Sequence, residues 1–164
     1  MSDVSNRKGY DQAGKHLGDQ DPIGFLQLLG AIRVEEEVEV EVIERELITL
    51  ARAVDGLYRV RTSERTRLIH GEIQAHWKGA VPPRVADYGA RLHLLTGEQV
   101  ESYVLVLTND PALPLVPPPA EIRSGDLVIL KGYRLVRLWE LDADAWLASA
   151  RPYLIPVRSH DIVD

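Results

Sequence analysis

The chain has 164 residues, 45% of them apolar and 27% charged, with a net charge of −6 and no cysteine. That length suits one hydrophobic core, that composition excludes wholesale disorder, and the missing cysteine excludes a disulfide framework or thiolate metal sites. The acidic balance argues against a protein that coats nucleic acid by bulk attraction, and no apolar stretch approaches the roughly 20 residues of a membrane span. The expectation is a single cytoplasmic domain over residues 1–164, with residues 1–9 as a disordered tail and no apolar leader core in the first 16 residues.

Asp21-Pro22, then Ile23, Phe25, Leu26, Leu28 and Leu29, closed by Gly30, reads as a short capped helix. Residues from Tyr10 to Gly18 add a turn or two before it, weakened by Gly14 and Gly18. Val38, Val40 and Val42 alternate with Glu39 and Glu41, the period of a strand with one face in water, near a sheet edge. Leu57 to Arg61 and Leu68 to Ala75 are two strands joined by the polar turn Thr62-Ser63-Glu64-Arg65. After a break at Pro82-Pro83, Val85, Tyr88, Leu92 and Leu95 recur at helical spacing and Gly97 stops the helix. Tyr103 to Leu107 is a buried strand, and residues 109–119, with five prolines, are a loop. Strands at Leu127–Leu130 and Leu135–Leu138 and a helix begun by Asp142 complete the chain. The fold class expected is α/β, a mixed sheet flanked by helices.

Asp55 and the triplet Glu72-Ile73-Gln74 carry the chemistry. If Thr62 to Arg65 form a four-residue turn, Arg61 pairs with Thr66, and the same register carried down the hairpin sets Asp55 across from Glu72. Directly opposed residues share a face with Cβ atoms about 4.5–5.5 Å apart, and Gln74 lies diagonally on that face. Two carboxylates that close repel unless a cation lies between them. An all-oxygen set favours a hard ion, Mg²⁺ or Mn²⁺, which activates water and stabilises charge on a phosphodiester. A solvated rim, or a structural hydrogen-bond network, accounts for the same spacing.

Several passages together resemble the PD-(D/E)XK nuclease superfamily, in its branch of recombination-promoting nucleases and transposase-related proteins. YDQAGKHLGDQDPIGFLQLLG is similar to that family's opening helices, and ERELITLARAVDGLYRV to the strand leading to its motif Asp. LIHGEIQAHW resembles its third strand, where Glu-x-Gln often replaces Glu-x-Lys. RVADYGARLHLLTG with VESYVLVLT resembles its following helix and strand, and YRLVRLWELDADAWLASARPYLIPV its closing segment. The resemblance implies a restriction-endonuclease-like fold and Mg²⁺-dependent (or Mn²⁺-dependent) hydrolysis of DNA phosphodiesters with little sequence specificity. It implies that Asp55, Glu72 and the main-chain carbonyl of Ile73 bind the metal, that Gln74 occupies the catalytic Lys position, and that Glu46 matches an accessory upstream Glu. Two departures from its pattern are Gly56 directly after the motif Asp, and Gly14 with Gly18 in the first helix.

A Gln orients water or a phosphate oxygen and supplies no positive charge. Basic residues in and around the motif, Arg59, Arg61, Lys78, Arg84 and Arg91, are the expected DNA backbone contacts, with solvated faces as the plainer alternative. His70, Glu72, Gln74 and His76 alternate on one strand face, but His70 and His76 stand too far apart for one zinc ion. Tyr88, Trp77, Trp139 and Trp146 read as packing residues, and His16 and His93 as helix-surface residues. No glycine-rich phosphate loop or Ser-His-Asp signature is present, so no organic cofactor is expected. Two other functions compete: a catalytically decayed nuclease fold acting as a binding or regulatory module, and a homodimer joined through the acidic strand.

Overall fold

The computed structural model describes residues 18–43 and 55–142. Glu46, His16, Gly14, Trp146, the N-terminal tail and the helix expected after Asp142 lie outside them. Helix α1 (Pro22–Leu28) begins as its sequence dictates: Asp21 Oδ1 accepts the Gly24 N–H at 2.9 Å, and Pro22 occupies the first turn, where a missing N–H costs nothing. Strand β1 (Glu39–Val42) is followed by β2 (Gly56–Arg61) and β3 (Thr66–Gln74), all antiparallel, in the order β1-β2-β3. The β2–β3 turn is the four-residue one expected, with Thr62 N–H donating to the Arg65 carbonyl at 2.9 Å, and the ladder pairs Arg61 with Thr66 through to Gly56 with Gly71.

Helix α2 (Val81–Thr96) returns the chain so that β4 (Val100–Val106) runs parallel to β3, and β7 (Arg134–Arg137) runs parallel to β4 at the far edge. The result is a five-stranded mixed sheet in the order β1-β2-β3-β4-β7. Period-two alternation divides the core between its two faces. Tyr58, Val60, Ile69, Ile73, Tyr103 and Leu105 pack against Phe25, Leu26, Leu28 and Leu29 of α1 and the residue after it. On the other face Leu57 and Leu68 meet Tyr88 and Leu92 of α2, while Val104 and Val106 meet Val81, Val85 and Ala86. The sheet is therefore sandwiched between helices, as the α/β expectation requires.

Four details differ from the sequence reading. Pro82 and Pro83 sit inside the first turn of α2 instead of breaking the chain before it, because that turn needs no N–H from them. Leu95 continues the helical spacing but is 66% exposed, and the buried face of α2 ends at Leu92. A strand with no clear apolar period, β5 (Ala120–Ser124), pairs with β6 (Leu127–Lys131) in a separate two-stranded sheet, and Ala120, Ile122 and Ile129 cover α2. The last strand ends at Arg137, and Leu138 and Trp139 belong to a single 3₁₀ turn, Leu138–Glu140. Gly97 stops α2 with φ 69°, the left-handed conformation that glycine adopts without penalty. Among the described residues no helix is long and apolar enough to cross a membrane.

Candidate functional site

The polar row of β3 is buried. His70, Glu72 and Gln74 face α2, while Ile69, Gly71 and Ile73 face α1, so three polar side chains lie beneath a helix and must find partners there. Continuing the observed ladder one residue past Gly56–Gly71 sets Asp55 opposite Glu72, as the turn length predicts. Asp55 is half-buried, and its Oδ2 accepts the Ile73 N–H at 2.9 Å, fixing the carboxylate against the motif strand.

Glu72 Oε1 accepts two donors: Gln74 Nε2 at 3.0 Å, and a short ion pair from an Arg84 terminal nitrogen in the first turn of α2. The same Gln74 nitrogen donates to the Ile73 carbonyl at 2.9 Å. The carboxylate, the amide and the carbonyl therefore form one connected group at the C-terminal end of β3, with a guanidinium lodged against it. The Nε of Arg84 is buried and has no hydrogen-bond partner. Beneath them His70 Nδ1 lies 3.3 Å from the Ser102 hydroxyl and its Nε2 lies 3.9 Å from Glu72 Oε2. Complete burial, reinforced by the charges of Lys131 and Arg84, holds the His70 imidazole down at about 4, so it is neutral at pH 7. Its ring meets Tyr88 edge-on at 5.7 Å, which makes Tyr88 a packing residue.

The donor set is what a hard cation requires: carboxylate oxygens from Asp55 and Glu72 and a peptide carbonyl, with no sulfur. One cation, the Arg84 guanidinium, already sits on it. Among the described residues no three His, Cys, Asp or Glu side chains group to hold a metal, so a Mg²⁺ or Mn²⁺ ion on these oxygens would take most of its coordination from water. The zinc alternative does not assemble, since His76 is exposed and turned to Thr108 (3.0 Å) and Asp110 (3.8 Å), away from His70.

The expected backbone-contacting cations separate into different environments. Arg59 binds Glu98 at 3.0 Å and Glu41 at 3.0 Å, and Arg61 binds Glu41 at 2.7 Å and Glu39 at 3.3 Å, so the acidic strand answers the basic one rung by rung. Arg91 binds Asp87 one turn back at 2.6 Å, and Lys78 is exposed just before α2. Arg84 reaches Glu72 instead of pointing only to solvent. The sequence reading missed that contact. Its signal was the short connection between β3 and α2, which brings the first helical turn beside the strand end, together with the need of a buried Glu for a counter-charge.

Gly56, which departs from the resembled pattern, has a packing reason. A Cβ there would lie 2.6 Å from the Tyr58 hydroxyl and 2.7 Å from its ring, and a Cβ at Gly18 would collide with that same hydroxyl. Both glycines make room for one buried tyrosine. No known protein family, curated protein or solved structure matches the chain.

Proposed function

We propose that this protein is a restriction-endonuclease-like, Mg²⁺-dependent DNA endonuclease of low sequence specificity, acting through Asp55, Glu72, the Ile73 carbonyl and Gln74. The observation that carries the reading is the juxtaposition at the end of β3: the register sets the Asp55 carboxylate opposite Glu72, beside the Ile73–Gln74 segment. Asp55 and Glu72 would hold the ion, with Glu46 as an accessory carboxylate. A bound divalent ion would supply an activated water and a positive charge for the phosphodiester. Asp55 is held by a main-chain N–H and needs little reorganisation to present its second oxygen. Gln74, already within reach of both Glu72 and Ile73, orients a water or a phosphate oxygen by hydrogen bonds. Of the cations near the motif, exposed Lys78 is the one best presented to a DNA backbone; Arg59, Arg61 and Arg91 contact it only by leaving their carboxylates.

A second reading has its own observation. Arg84 and Gln74 occupy Glu72 Oε1, and Gln74 also occupies the Ile73 carbonyl, which suits a nuclease fold that has lost its metal and serves as a binding or regulatory module. Cleavage of supercoiled plasmid separates the two. The intact chain is expected to nick it with Mg²⁺ and not with EDTA, and Asp55→Ala to lose at least about a hundredfold in rate, the scale of a lost electrostatic contact in a transition state. Equal rates in both chains would retire the nuclease reading in favour of the second.

A further inference from the structure

We propose that Arg84 is a resident cation of the candidate metal site, which must leave Glu72 when a divalent ion binds and is thereby released toward the substrate phosphate. The inference rests on the nuclease reading and deepens it. Glu72 is 5% exposed, and an ionised carboxylate at that depth needs a counter-charge at all times. In the absence of metal Arg84 provides it. A guanidinium and a hard divalent ion compete wherever both approach Glu72 Oε1, which already takes the Arg84 and Gln74 donors.

The way Arg84 is held distinguishes it from the arginines of the sheet edge. Arg59 uses its Nε on both oxygens of Glu98, at 3.0 and 3.2 Å, and a terminal nitrogen on Glu41. Arg84 makes one hydrogen bond through one terminal nitrogen and leaves its Nε buried without an acceptor. A guanidinium has five donors, and a purely structural pair at a buried carboxylate would be expected to use two of them side by side. Its side chain is 26% exposed against 6% for Glu72, so the outward path is open on its own side. Once displaced, it stays tethered to the first turn of α2, beside the motif strand. From there a phosphate oxygen could take the Nε and a terminal nitrogen together, and the site would regain the positive charge that Gln74 does not bring. Metal uptake and phosphate capture would then be coupled through one side chain, each favouring the other.

Mn²⁺ titration calorimetry on the intact chain tests this without relying on turnover. Arg84→Met is expected to bind Mn²⁺ at least about tenfold more tightly than the unaltered chain, because the competing cation is gone, and Arg84→Lys to fall between them. Unchanged or weaker Mn²⁺ binding in Arg84→Met, with binding in the unaltered chain intact, overturns the inference and leaves the metal site standing. Absence of binding in all three, or binding that survives Glu72→Gln, overturns the metal reading itself and this inference with it. Should Arg84→Met fail to fold, the unaltered chain gives the answer: its Arg84 Nε–H resonance must shift as Mg²⁺ saturates the protein. A resonance that stays in place at saturation overturns the inference.

Discussion

Two sets of Arg–Glu pairs, built from the same side chains, do different things in this molecule. At the β1–β2 edge, Arg59 and Arg61 interleave with Glu39, Glu41 and Glu98 in a ladder open to water. The neighbouring guanidiniums, first Arg61 and then Arg59, hold the Glu41 carboxyl below its ordinary range, but it is exposed and solvent screens much of that attraction. At the end of β3, Glu72 and Arg84 meet under a helix, where the carboxylate has lost its water. The ladder aligns an edge strand and covers it with charge. The buried pair resolves a conflict that burial created. An ion pair is informative about function in proportion to the desolvation it answers, and its chemical identity alone says little.

The contrast can be broken most directly at the buried pair. Arg84→Met should destabilise the metal-free protein by about 3 kcal/mol, because it removes a cation paired with a buried carboxylate. The double variant Glu72→Gln with Arg84→Met should recover much of that loss, since no charge is then left behind. Urea denaturation measures both, and a double variant as unstable as the single one would mean that the pair contributes through packing.

His70 sharpens the same point with pH. Its folded-state value, about 4, lies below the ordinary 6.5, so the stability it contributes is present above pH 6.5 and is lost as pH falls toward 4. The full loss is about 3 kcal/mol, and His70→Gln should flatten the metal-free urea midpoint over that interval. An equally steep acid limb in His70→Gln would assign the effect to other groups. The smallest effect belongs to the edge. Arg61→Ala should move the melting temperature by less than about 3 °C and by nothing measurable in 1 M NaCl. A larger, salt-resistant shift would erase the distinction between the two regions.

Much of this was legible in the residues. Asp21-Pro22 and Gly97 mark helix ends by local chemistry alone, and the Val38–Val42 alternation gives an edge strand. The four-residue turn from Thr62 to Arg65 fixes a register that sets Asp55 opposite Glu72, because strand pairing propagates from the turn without further information. What lacked a local signature was misread or missed. Strand β5 is held by its partner and by α2, and Pro82 and Pro83 look like a break until the helix they begin is seen. Gly56 and Gly18 look like flaws in a pattern until Tyr58 fills the space between them.

The sequence by itself determined the alternation of β1, the capped start of α1, the glycine stop of α2 and the β2–β3 pairing, all of which depend on residues a few positions apart. Only the tertiary structure decided which carboxylates share which cations. That Arg59 and Arg61 answer Glu39, Glu41 and Glu98 while Arg84 answers Glu72 depends on how α2 and β1 lie over and beside the sheet. Charges choose partners by distance and desolvation in three dimensions, and neither quantity is written along the chain.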